Sequence, residues 1–196
     1  INHTLVQDDL VNYPVLVSVL DADLTKADSL GRDFVFTSLD GTKLHHEIED
    51  FNAATGELAA WVNVPSLSSN EDTVLYLYYG NPVCDDQQNI AGTWDAGYAM
   101  VQHMEENGTG IRYDSTSNGH HGTPSGFDGD ESVMGIADGG NQFDGDNDYV
   151  DFGNVGDIYT VSLWVKPDFM IDNTTSPSEG LAQFSSWYRT ALGAFT

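Results

Sequence analysis

Apolar residues recur at every second position through most of the first eighty residues, the period of strands with one buried face and not that of helices. Strands are predicted on this pattern over Tyr13 to Leu20, Phe34 to Thr37, Leu44 to Glu49, Leu58 to Val64 and Thr73 to Tyr79. Turn-forming pieces such as Leu39-Asp40-Gly41-Thr42 and Ala54-Thr55-Gly56 separate them. After Gly80-Asn81-Pro82 the texture changes, and residues 105 to 157 are dominated by Gly, Asp, Asn and Ser. Short strands are predicted there at Tyr98 to Met104, Asp148 to Phe152 and Tyr159 to Val165, and short helices around Asp23 to Leu30 and Gln87 to Ala91. The change in texture sets a domain boundary between 82 and 94. The expectation is an all-β chain of two consecutive β-sandwich domains, residues 1–85 and 86–196.

Composition narrows the partners. Six Lys plus Arg stand against 31 Asp plus Glu, a formal net charge of −25. Almost nothing here can neutralise phosphates, so nucleic acid is excluded as a partner, and an anionic membrane surface is equally unsuited. The longest apolar run, Tyr13 to Leu20, is broken by Ser18 and falls well short of the roughly 20 residues needed to cross a bilayer. Asp outnumbers Glu 23 to 8. Two readings of that bias stand side by side: Asp in turns and cation-binding loops, or a chain adapted to high salt, where screening removes the self-repulsion.

Cys84 is the sole cysteine, which excludes an intrachain disulfide and any cysteine-rich metal site. It is expected to be an inert thiol. Three glycosylation sequons occur, at Asn2, Asn107 and Asn173, and they permit modification on a secreted surface. The chain opens at Ile1 without a basic and apolar leader, so a secreted form is expected to be a processed piece.

The ordered pieces Asn12-Tyr13-Pro14-Val15-Leu16-Val17, Asp33-Phe34-Val35-Phe36-Thr37 with Asp40-Gly41, Glu47-Ile48-Glu49, Trp61-Val62-Asn63-Val64-Pro65 and Leu75-Tyr76-Leu77-Tyr78-Tyr79-Gly80-Asn81 resemble a domain of unknown function. That domain recurs in archaeal and bacterial surface proteins and in some described as proton-channel-like. The resemblance spans roughly residues 4 to 82 and implies a surface location without implying an activity.

A second set of pieces resembles the concanavalin A-like lectin/glucanase superfamily in its laminin G-like form. These are His103-Met104-Glu105-Glu106, the run Tyr113 to Thr123, Gln142-Phe143-Asp144-Gly145-Asp146-Asn147-Asp148-Tyr149-Val150 and Val161-Ser162-Leu163-Trp164-Val165-Lys166-Pro167. The resemblance implies a two-sheet jelly roll longer than residues 86–196 supply, hence open strand edges that favour pairing with another chain. Some members hold a structural calcium, which makes Glu106 and Asp114 candidate ligands; Glu105 is expected to face solvent.

Asp144, Asp146 and Asp148 have the 1-3-5 spacing of a calcium loop, whose hard cation needs several oxygen ligands. An EF-hand is excluded, because its sixth and twelfth positions would be Tyr149 and Val155. The competing reading is a solvated turn between two strands. Glu47 and Glu49 share one strand face, the arrangement a nucleophile and an acid/base require, but superfamily glucanases continue the acid alternation where this chain has Phe51. No catalytic residue is assigned. His45-His46 and His120-His121 point to opposite faces if extended and suit no single metal. Trp61 and Trp164, at alternating strand positions, are expected in the core, whereas Trp94 and Trp187 lie near loop-like sequence and are the candidate sugar-stacking platforms.

The expected function is therefore an extracellular carbohydrate-binding or adhesion module of a cell-surface protein, with calcium as a structural ion and glycans or other surface proteins as partners. A structural subunit of a surface layer, sheath or filament, self-associating through sheet edges, is the alternative. A polysaccharide hydrolase is a third and weaker one, since its acid pattern is missing.

Overall fold

The computed structural model describes residues 1–81, 83–135 and 139–166. The described residues are all-β, with several antiparallel sheets and little helix. Residues Ile1–Tyr159 form one compact unit.

The first sheet holds β1 (Leu10–Leu20), β4 (Glu57–Leu67) and β3 (His46–Asn52) in the order β1-β4-β3. Alternation explains its faces. Val15, Val17 and Val19 of β1 lie opposite Val62, Ala60 and Leu58 of β4, and the β4 residues are fully buried. Leu16 lies opposite Trp61 on the other face. A second sheet pairs β2 (Val35–Ser38) with β5 (Leu75–Tyr78). Phe36 from β2 and Leu75 and Leu77 from β5 join Phe34, Leu58, Ala60 and Val62 in one core. Burial of such side chains, worth roughly 1.5–3 kcal/mol each, drives this half of the fold.

One irregularity sets the chemistry. Ile48 pairs with Ala60, yet Asp50 pairs with Ala59, so Glu49 is an extra residue in β3, a β-bulge. Strict alternation would leave Phe51 on the same face as Glu47 and Glu49. The bulge resets the parity, and Phe51 turns into the core against Phe34, 4.8 Å away edge-to-face. Glu47 and Glu49 remain together on the opposite face.

The hairpin from β3 to β4 closes on Gly56, whose φ of +74° suits glycine; an added Cβ would lie 2.0 Å from the carbonyl oxygen of Asp21. The outer edge of β3 is covered: the amide of Ile48 donates to Gln88 Oε1 and the amide of Asn89 to the carbonyl of His46. The short helix α1 (Ile90–Thr93) follows at once, capped by Asn89, so the segment expected to hold a domain boundary packs along β3. Side chains on both sides of 85/86 also meet, as the site below details.

Further on, β6 (Thr123–Ser125) pairs with β9 (Tyr149–Asp151), and β7 (Ser132–Met134) with β8 (Gly139–Asn141). Two predicted strands are absent from the described residues. Tyr98 to Met104 is irregular with a single bridge, Gln102 to Asp114, because the amide of Val101 is taken by the Asp114 carboxylate and Met104 has a φ of +59°. Tyr159 to Val165 is likewise irregular, with no described strand paired to it. Trp164, expected in the core, is 84% exposed, since a core position here required that strand. Of the two predicted helices, the first is a 3-10 turn at Ala22–Lys26 and the second is α1.

Candidate functional site

On the face of the first sheet opposite the core, the bulged strand presents Glu47 and Glu49 to a layer built from residues 94 to 116. Their side chains are 7% exposed. His103 enters between them, its Nδ1 2.7 Å from Glu49 Oε2 and its Nε2 3.3 Å from Glu47 Oε2. The second contact lacks hydrogen-bond alignment and is Coulombic. Both acids accept further bonds. Trp94 Nε1 and Ser115 Oγ donate to Glu47 at 2.7 and 2.6 Å, and Trp61 Nε1 donates to Glu49 at 2.6 Å. Burial depresses the His103 pKa, but the nearby carboxylates of Glu47 and Glu49 outweigh it and lift it to about 10. At neutral pH an imidazolium thus sits between the two carboxylates.

This arrangement is unsuited to acid-base chemistry on a bound substrate. Each carboxylate is screened by an indole and a cation, and the rings of Trp61, Trp94 and Tyr98 pack against one another at tilted and edge-on angles, with successive centroids 5.2–5.3 Å apart. Trp94 is accordingly 8% exposed and belongs to this layer, in place of the open stacking platform expected of it; its ring is held by Glu47 underneath. Trp61 is half-buried on the same face, away from the core of the first sheet, while Trp187 lies outside the described residues. His46, by contrast, is fully buried against Phe36, and burial depresses its pKa to about 4, so it is a neutral core histidine.

Of the candidate calcium ligands, Asp114 is fully occupied by protein donors. Its Oδ1 accepts from the amides of Val101 and Thr116, and its Oδ2 from Thr116 Oγ1 and the amide of His120. Burial raises its pKa, yet these bonds prevail and hold it low. Four donors match the lone-pair capacity of a carboxylate, and in this arrangement Asp114 organises the turn around it. Glu106 accepts from the amide of Tyr113 through Oε1, while Oε2 is shielded from solvent with no hydrogen-bond partner. Asp144, Asp146 and Asp148 lie in the loop joining β8 to β9. There Asp148 accepts from the amide of Asp144, and Asp144 from that of Asp146. The structure does not bring Glu106 and Asp114 together with this loop in one cluster of three acids.

It does bring together Asp128, Asp130 and Glu131, with one carboxylate oxygen of each within 4.8 Å of the others. Asp130 and Glu131 push the Asp128 pKa up. This loop adjoins the 144–148 loop, since Phe127 packs edge-to-face against Phe143 at 5.6 Å and Gly126 abuts the backbone of Asn147. Sequence reasoning missed the cluster; three acids in four residues around Gly129 were the available signal. It also missed His103 as a partner of Glu47 and Glu49, and here no local signal existed.

At the surface, Tyr76 and Tyr78 point outward from β5 and are 43% and 57% exposed. Next to Tyr78 opens a groove of about 340 Å³, lined among others by Val35, Asn81, Cys84 and Gln87. The sequons differ in setting. Asn2 is exposed and caps a 3-10 turn (His3–Leu5), Asn107 is exposed and accepts from Ser132 Oγ at 2.9 Å, and Asn173 lies outside the described residues.

Residues 31–123 match the model of a family described as Domain of unknown function (DUF2341). The matched stretch covers just under half of the chain, and it includes Glu47, Glu49, Trp61, Trp94, His103 and Ser115, all the residues of the buried constellation. No curated protein matches the chain. No solved structure matches it either.

Proposed function

We propose that this chain is an extracellular carbohydrate-binding or adhesion module of a cell-surface protein, built of β-sandwich units of which the second is laminin G-like. What supports this function is the outer face of β5, where Tyr76 and Tyr78 hold aromatic rings in solvent on a rigid strand. The apolar face of a pyranose packs on such rings. The acid pair that a hydrolase would need is committed to His103 and two indoles, which favours binding over cleavage. Exposed sequons at Asn2 and Asn107 suit a glycosylated exterior. A glycan array probed with the 196-residue chain tests the reading: retention of a defined set of glycans is expected, and no retention on any glycan overturns it.

One observation favours the structural alternative. β1 is an 11-residue edge strand without a charged residue, and among the described residues its only strand partner is β4. Such an edge is a template for pairing with a second copy. Light scattering at rising salt distinguishes the two, because self-assembly without glycan preference supports a surface-layer or filament subunit.

Calcium remains part of the proposal, as a structural ion in the acidic loops. Glu106 Oε2 has spare acceptor capacity, and the crowding of Asp128 by Asp130 and Glu131 is the kind that a divalent cation relieves. Asp144, Asp146 and Asp148 in the adjoining loop are the remaining oxygen donors. Thermal unfolding with calcium and with a chelator tests it, since an ion that binds only the folded chain raises Tm.

A further inference from the structure

We infer that the groove at the end of β5 is a glycan subsite that takes an uncharged polysaccharide, with Tyr78 and Tyr76 as stacking platforms and Asn81 as the hydrogen-bonding group. The inference rests on the carbohydrate-binding reading above and assigns it a place and a ligand class. Tyr78 and Tyr76 pair with Val35 and Thr37, so both rings rise from the outward face of the β2–β5 ladder. Residues two apart on a strand are about 7 Å apart, so the two rings can underlie successive sugars of one chain.

The rim is fixed by a buried acid. Asp33, 3% exposed, accepts the amides of Gly80 and Asn81 at 2.7 and 2.8 Å, which pins the turn after β5. Asn81 is thereby held at the mouth of the groove, exposed, and its side-chain amide makes no hydrogen bond among the described residues. That amide can donate to one sugar hydroxyl and accept from another. Gln87 is used up in the wall: its Oε1 accepts from Lys43 Nζ and its Nε2 donates to the carbonyl of Asp85. A volume of about 340 Å³ suits a ring of this size, at the lower end of the range for small-molecule sites.

Charge selects the class. Asp33 lines the groove, and Asp85 and Asp86 lie in the chain between its lining residues Cys84 and Gln87. Arg32 is paired with Asp28, which leaves the one charge of Lys43, hydrogen-bonded to the neutral amide of Gln87, against three acids. With a net charge of −25 behind them, uronates and sulfated sugars are repelled, whereas neutral hydroxyls meet no penalty.

Cys84 lines the same groove and is the sole cysteine, so it reports occupancy without any mutation. The test compares the alkylation rate of Cys84 in the 196-residue chain alone, with soluble mannan and mixed-linkage β-glucan, and with alginate. In parallel, affinity electrophoresis compares wild type with Tyr76→Ala, Tyr78→Ala, Tyr78→Phe and Asn81→Ala, each checked for an unchanged Tm. The expected result is protection of Cys84 by at least one neutral polysaccharide and not by alginate. Tyr78→Ala and Asn81→Ala are each expected to lose about fivefold or more in affinity, and Tyr78→Phe to keep it. Neutral-glycan binding that leaves Cys84 unprotected and survives both alanine variants overturns the site and leaves the carbohydrate reading intact. Equal or stronger protection by alginate overturns the ligand class. Failure of wild type to bind any glycan overturns both. Concentration-dependent protection of Cys84 without glycan, lost in Tyr78→Ala, assigns the face to a second copy and overturns the inference.

Discussion

Nδ1 of His103 lies 2.7 Å from Oε2 of Glu49, and the two residues come from segments more than fifty positions apart. The contact joins a bulge in β3 to an irregular segment that has no sheet of its own, so the ion pair and its indole neighbours hold that segment to the sheet.

Alkaline pH is therefore expected to loosen this contact. The folded pKa of His103, about 10, lies above the ordinary value of 6.5. A raised pKa contributes stability that is fully present below about pH 6.5 and is lost as pH rises through about 10. Tm should fall progressively across that window. A His103→Leu variant should lose the alkaline slope; a slope that survives in the variant would sink the assignment.

Removing the cation at neutral pH should cost more than removing one acid. His103→Leu leaves two buried carboxylates facing each other, and breaking a buried pair in this way costs about 3–5 kcal/mol. Glu47→Gln keeps one acceptor oxygen, enough for Trp94, while the Ser115 hydroxyl can turn to accept from the new amide, and the His103–Glu49 pair remains, so a smaller loss is expected. Urea unfolding of both variants orders them, and the reverse order would contradict the geometry.

The strands of the first half were legible because alternation is a local property: Val15, Val17 and Val19 announce β1, and Leu58, Ala60 and Val62 announce β4. The shared face of Glu47 and Glu49 was legible for the same reason. Phe51, which breaks that parity, was the visible trace of the bulge. What faces the acids was not legible, because an ion pair over such a separation leaves no periodic mark. Trp94 illustrates the limit: loop-like sequence around it suggested an exposed ring, but its burial depends on Glu47, which a local reading does not place beside it. In the Gly- and Asp-rich half, turns satisfied by side chains such as Asp114 take the place of long ladders, so strand patterns predict little there.

Gly56→Ala is expected to destabilise the first sheet. The new methyl would sit 2.0 Å from the Asp21 carbonyl oxygen, which also lies beside the bond from the Asp21 amide to the Gly56 carbonyl. Positive φ adds about 1 kcal/mol to this clash. A Tm equal to wild type would show that the hairpin relaxes freely.

Asp114→Asn offers a test of whether this residue organises a turn or binds a cation. An amide retains one acceptor oxygen, so at least one of the backbone donors from Val101, Thr116 and His120 loses its partner, whereas the Thr116 hydroxyl can turn to accept. Each buried donor left unpaired costs about 1–3 kcal/mol. The loss should be the same with calcium and with a chelator, because all four acceptor sites already serve the protein. If the loss appears only with calcium present, Asp114 is a ligand and the donors around it rearrange when the ion binds.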